Sequence, residues 1–116
     1  MNQKISKARL KSLCETWFGD MVKVVVDIEK ECAGIGGDLH ADAELLLLQE
    51  GSGPEALWGI NFYPWHEPDK RIEYTALINI RPHQDNPSME ILDEKAKEKV
   101  RRIIESLLLG ADEKLV

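Results

Sequence analysis

Long apolar runs are missing from this chain. The longest is the four-leucine stretch Leu45 to Leu48, far below the roughly 20 residues that a membrane helix requires. The opening residues, Met1 to Ser6, lead into an amphipathic segment without the apolar centre of a signal peptide. Cysteine is scarce as well. Two cysteines in 116 residues make no disulfide framework, so a reducing cytoplasm is the expected setting. Basic charge is not in excess: 15 Lys and Arg face 21 Asp and Glu, for a net charge of -6. That sign is wrong for a general nucleic-acid binder, which must neutralise phosphates, and it disfavours anionic membranes. The one basic run, Lys4, Lys7, Arg9 and Lys11, reads as a solvated helix face. Gly34-Ile-Gly-Gly37 lacks the Lys-Ser/Thr and the helix of a phosphate loop. There is no Cys-x-x-Cys pair for zinc and no Gly-x-Ser-x-Gly elbow. No cofactor is implied.

What is present is the composition of a folded domain, 43% hydrophobic and 31% charged. A chain of 116 residues builds one core and not two. Residues 1–116 therefore read as a single domain, with 111–116 expected to fray.

Ser6 is a natural N-cap for a helix whose Leu10, Leu13, Cys14, Trp17 and Phe18 share one face, with Gly19 just past its end. Trp17, Cys14 and Trp58 are expected in the core. Met21 to Lys30 alternates Val22, Val24, Val26 and Ile28 with Lys23, Asp27 and Glu29, which predicts a strand. A helical reading through Met21, Val24, Val25, Ile28 and Cys32 also fits the spacing. Consecutive valines are stiff and favour the pleated alternative. Gly34, Gly36 and Gly37 are expected to break regular structure. Leu39 to Gln49, an apolar run between glycines, reads as a strand buried on both faces. Leu57 to Tyr63 and Ile72 to Arg81 read as a hairpin. Pairing Phe62 with Tyr74, Ile60 with Ala76 and Trp58 with Ile78 puts the apolar residues on one face. A last helix starts between Ser88 and Glu94 and ends at Gly110, burying Leu92, Ala96, Val100, Ile103, Ile104 and Leu107. Asp93 to Lys97 and Glu98 to Arg102 would pair across its exposed side. The expected class is α+β, in the order α-β-β-β-β-α. An antiparallel sheet of four to five strands carries an N-terminal and a C-terminal helix.

Candidate chemistry concentrates in Gly37 to Glu44. If that segment is extended, His40, Asp42 and Glu44 share one face at steps of roughly 7 Å. An imidazole and two carboxylates suit a divalent metal or acid–base catalysis. They equally suit a solvated surface network. The hairpin register turns Asn61, Asn79 and Arg81 to the face opposite the core. There Arg81 could hold a carboxylate or phosphate, and Gly59 could let a ligand approach the backbone. Trp65, in the turn after Tyr63, could anchor a partner or ligand, or cap the open end of the core. Neither Cys14 nor Cys32 has an activating base beside it in sequence.

Four segments in combination resemble a known family: Phe18 to Lys23, Gly36 to Asp42, Leu57 to Asn61 and Ile78 to Pro82. They are similar to those of a small prokaryotic family, domain of unknown function 5674. The resemblance implies a stand-alone single domain and brings no activity, cofactor or partner with it. Around Met89 to Leu92 this chain is less polar than that family's approach to its last helix. Three readings therefore stand side by side. One is a binding module for a small anionic ligand or protein partner, using Tyr63, Trp65, Asn79 and Arg81. The second is a small enzyme, metal-assisted or acid–base, using His40, Asp42 and Glu44. The third is a homodimer or larger homo-oligomer without catalysis.

Overall fold

The computed structural model describes residues 1–115. The first helix, α1 (Lys7–Trp17), opens on the Ser6 side chain, which accepts from the Arg9 N–H at 3.1 Å. Its last turn closes with Phe18 and Gly19 both donating to the Cys14 carbonyl, and Gly19 takes φ +90°. Leu10 and Cys14 are buried. Trp17 departs from expectation and is 45% exposed. It lies over the Gly36 loop, where its Nε1 would be 3.3 Å from a Cβ at that glycine.

Strand β1 (Val22–Asp27) confirms the pleated reading, and β2 (Cys32–Ile35) pairs with it antiparallel, Val24 against Ile35 and Asp27 against Cys32. The Asp27 carboxylate closes the turn by accepting from Glu29 N–H and Lys30 N–H, both at 2.9 Å. Gly34 therefore sits inside a strand and does not break one. The reason lies above it: a Cβ on Gly34 would be 3.2 Å from the Ala43 Cβ of the helix that crosses the sheet.

That helix, α2 (His40–Gln49), overturns the strand expected at Leu39 to Gln49. Ala, Glu and Leu all favour helix. Asp42 also accepts from the Leu39 N–H at 3.0 Å, holding the first turn. His40, Ala43 and Leu47 face inward at helical spacing, while Leu45 and Leu46 face out.

Strand β3 (Leu57–Phe62) pairs antiparallel with β1, Val22 against Phe62 through Asp27 against Leu57. On its other edge lies β4 (Ile72–Glu73), giving a four-stranded antiparallel sheet in the order β2-β1-β3-β4. The hairpin register is Phe62 against Ile72, two residues from the expected Tyr74. A two-residue slip preserves the faces, so Trp58, Ile60 and Phe62 still point to the main core. The strand expected through Arg81 ends at Glu73. Beyond it the chain swings out to meet residues 89–91: Ala76 N–H donates to Met89 O and Ile91 N–H to Tyr74 O.

The last helix, α3 (Glu94–Leu107), begins at Asp93, whose side chain accepts from the Lys95 N–H. Asp93 is thus a cap and not the partner of Lys97, which pairs instead with Glu90 and Glu94. Glu98 meets Arg101 as well as the expected Arg102. Leu92 is exposed, and Ile91 takes the buried place beside the helix start. Residues 111–115 lie against the body. Leu115 is buried, and Arg71 donates to the carbonyls of Gly110 and Glu113. Val116, the end of the expected frayed segment, lies outside the described residues.

The molecule is α+β, as expected, with a helix added on the second face of the sheet. One face carries the main core of Val22, Val24, Val26, Ile60 and Phe62 against α1 and α3. The other carries a smaller core in which Val25 and Leu57 meet Ala43 and Leu47 of α2. Among the described residues no helix is long and apolar enough to cross a membrane.

Candidate functional site

The second face of the sheet is only partly covered. α2 lies over β1, β2 and the middle of β3, and the segment 75–78 rises beside its first turn. Between them is a cavity of about 440 Å3, lined by Leu39, Ala41, Leu77, Ile78 and Met89, with His40 and Asn61 among its polar members. That volume lies within the range of small-molecule sites. Its apolar rim is unusually open: Leu77 is 71% exposed and Leu39 55%.

His40 sits at the inner wall, 9% exposed. Its Nε2 is 2.8 Å from the Ile60 carbonyl. A carbonyl can only accept, so Nε2 carries the proton. The Cδ2 beside it presses toward the sheet, 3.1 Å from where a Cβ on Gly59 would stand. Nδ1 is the opposite vertex of the ring. Among the described residues no hydrogen bond to Nδ1 meets ordinary geometry, and the Asn61 side chain is the polar group close to the ring. Burial holds the imidazole below its ordinary pKa. The Ile60 carbonyl and the Asn61 side chain pull it up, and Lys23 pushes it down. His40 is therefore neutral at physiological pH, with a lone pair on Nδ1.

Asn61 stands beside that ring on β3. Its Nδ2 donates to Glu73 Oε1 at 2.6 Å. A carboxylate can only accept, so this bond fixes the amide orientation. Asn61 Oδ1 is buried without a hydrogen-bond donor.

The residues expected to form one site are separated. On a helix, His40 and Glu44 fall on one side and Asp42 on another. His40 faces the sheet, Asp42 caps α2, and Glu44 is half-buried in a second cavity of about 290 Å3 with Glu55 and Arg81. Among the described residues no three His, Cys, Asp or Glu side chains come together in a metal-binding arrangement. Asn79, fully buried, uses Oδ1 to accept from Gly59 N–H at 2.8 Å and Nδ2 to donate to Gly59 O at 2.9 Å and Met89 O at 3.0 Å. Arg81 donates from Nε to Ile78 O at 3.0 Å and from Nη2 to Leu57 O, and lies 4.8 Å from the Trp58 ring centre. Nε and Nη2 serve the backbone, and Nη1 is buried without a partner among the described residues. Gly59 is approached by Ala76, whose Cβ would be 2.7 Å from a Cβ at that position. Tyr63 stacks on His66 at 4.8 Å. Trp65 is exposed beside a separate cavity of about 350 Å3, next to Arg71 and residues 111–115. The Cys14 thiol is pushed up to about 11 by burial, which removes thiolate character at neutral pH.

A family model described as a protein of unknown function, DUF5674, matches residues 1–107. The chain belongs to this family. No curated protein and no solved structure matches it.

Sequence reasoning named His40 and Asn61 for the wrong geometry and missed their apolar frame. Leu39 and Met89 had a signal, each being a large apolar residue set among polar neighbours, whereas Leu77 between Ala76 and Ile78 had none. Exposed apolar residues of this kind mark binding surfaces more often than isolated ones do.

Proposed function

We propose that this DUF5674 member is a binding module for a small, largely apolar molecule held in the cavity between α2 and residues 75–78. The supporting observation is a neutral, nine-tenths buried His40, whose Nε2 is held by the Ile60 carbonyl, in the wall of a mostly apolar cavity of about 440 Å3. Such a combination, mostly apolar lining with a few fixed polar groups, is what small-molecule sites use for affinity and orientation. Lys23 and Glu73 are the charged residues of the lining and carry opposite signs. An anion would therefore find no net attraction here. The arginine and asparagine that suggested an anionic ligand, Arg81 and Asn79, are engaged with backbone groups.

The test is a fragment titration followed by amide NMR shifts. Apolar fragments are expected to move Leu39 to Ala41, Asn61 and residues 75–78 together. Ala41 is exposed on the cavity wall, so Ala41→Trp fills the space without entering the core. It is expected to weaken binding at least about tenfold, roughly 1.4 kcal/mol, at unchanged melting temperature. Shifts scattered over the surface, or unaffected by Ala41→Trp, would refute the reading.

A further inference from the structure

We infer that the ligand of this cavity presents an N–H or O–H donor, on an apolar body, to the Nδ1 lone pair of His40. The inference rests on the binding reading above and specifies the chemistry of its ligand.

Three observations converge on it. First, the tautomer is set by the backbone. The Ile60 carbonyl, 2.8 Å from Nε2, demands a proton there, so Nδ1 of the neutral ring can only accept. Secondly, turning the ring over would put Cε1 in place of Nε2 and lose the bond to the Ile60 carbonyl, so the observed orientation is the favoured one. Thirdly, the Asn61 amide beside the ring is already committed. Its Nδ2 is used by Glu73, and its Oδ1 is enclosed beside the ring. Lys23 lies 5.1 Å over the Phe18 ring. His40 Nδ1 is thus the acceptor of the inner wall, with the Glu73 carboxylate and the Thr75 hydroxyl elsewhere in the lining.

The chemical consequence is discrimination by a single hydrogen. A ligand lacking the donor would bury Nδ1 without a partner, and a buried unpaired acceptor is costly. Sites built to hydrogen-bond a ligand N–H reject analogues lacking it more strongly than they reject changes in apolar size. The same geometry makes recognition depend on protonation. When Nδ1 takes a proton it becomes a donor and opposes the ligand's own. The charged groups facing the ring from neighbouring elements are Lys23 on β1 and Glu73 on β4. Neither can restore a lone pair to Nδ1.

The experiment uses indole and 1-methylindole, in which a methyl group replaces the N–H hydrogen, titrated into the full chain and followed by amide and imidazole 15N shifts. Indole is expected to bind in the cavity about tenfold more tightly than 1-methylindole and to shift the His40 Nδ1 resonance. The preference is expected to vanish as pH falls and His40 becomes protonated. His40→Gln can keep a donor on the Ile60 carbonyl, and its amide oxygen, the remaining acceptor, does not occupy the Nδ1 position. It should bind both probes alike. Should that variant not fold, the wild-type pH titration of the probe pair carries the test. Equal binding of both probes in the cavity, with no pH dependence, overturns the donor inference and leaves the cavity reading intact. Absence of binding by either at about 1 mM, a free energy near -4 kcal/mol, overturns both.

Discussion

Replacing Asn79 with alanine removes the side chain that stands in for a missing piece of β-sheet. On β3, the backbone groups of Leu57, Gly59 and Asn61 point away from β1. Asn61 finds a backbone partner in Glu73, but β4 ends there. At Gly59 the Asn79 amide supplies both halves of the next rung, 2.8 Å to the N–H and 2.9 Å to the carbonyl. At Leu57 the Arg81 guanidinium supplies the one after. Asn79→Ala strands the Gly59 N–H and carbonyl in a buried site. Met89 O keeps its bond from Ala76 N–H at 3.0 Å. Two stranded groups at about 1–3 kcal/mol each give a loss of roughly 2–6 kcal/mol, a large share of the ~5–15 kcal/mol typical of a domain. At about 4 °C per kcal/mol for a domain of this size, melting should fall by roughly 8–24 °C. Circular dichroism melts and urea titrations would measure this, and hydrogen exchange at the Gly59 amide should accelerate in step. Asn79→Asp keeps the acceptor for Gly59 N–H but turns a second oxygen toward two carbonyls, so it should be no better tolerated than alanine. A fall below about 4 °C for Asn79→Ala, which is ~1 kcal/mol, would refute the ladder argument.

Gly59→Ala would bring a Cβ to 2.7 Å from the Ala76 Cβ and 3.1 Å from His40 Cδ2. A loss of about 1–3 kcal/mol is expected for such overpacking. Adding Ala76→Gly should recover part of it in the same melts, and no recovery would mean that the contact is not the cause. Asp27 gives a pH signature. Burial by itself would raise its pKa, but hydrogen bonds from the Lys30 N–H, the Ser52 hydroxyl at 2.6 Å and the Glu29 N–H hold the carboxyl below its usual value. A depressed folded-state pKa contributes stability that is present above the unfolded value, about pH 4, and lost as pH falls through the folded one. Urea titrations from neutral pH downward should therefore show a steeper acid loss for wild type than for Asp27→Asn. Parallel curves would dismiss the carboxylate as a contributor.

Alternation made the β1 and β3 faces legible, because a period of two survives even when the partner strand is misjudged. The Phe62 register slipped by two residues and Trp58, Ile60 and Phe62 stayed inward, whereas Ala76 and Ile78 went to the second face. Caps made α1 legible through Ser6 and Gly19, and the apolar stripe from Ala96 to Leu107 made α3 legible. The second face was not legible, and the reason is glycine. Gly34 and Gly59 carry no side chain whose pattern could be read. They are the places where Ala43, His40 and Ala76 come closest to the sheet. With those glycines read as breaks or ligand approaches, nothing in the string required a helix above them, and Leu45 to Leu48 looked like an interior strand. The end of β4 was hidden for a different reason. Ile72 to Arg81 has strand-forming composition throughout, but its backbone partners after Glu73 come from residues 89–91, a pairing that local pattern does not encode. The candidate site inherits both problems. His40 and Asn61 are polar residues in the sequence, and their meaning as a site comes from the helix and the swung-out segment that enclose them.

The side chains that complete β3 also bear on how this protein behaves in concentrated solution. A strand with open N–H and carbonyl groups along one edge is a template for pairing with another chain. β3 would have such an edge from Leu57 to Gly59, where β4 no longer covers it. Asn79 and Arg81 occupy those positions with groups that end the hydrogen-bonding pattern and do not propagate it. Two residues from an irregular turn therefore act as a stopper on intermolecular strand addition, so that an eight-residue change of direction in the chain does not become a point of growth for aggregates.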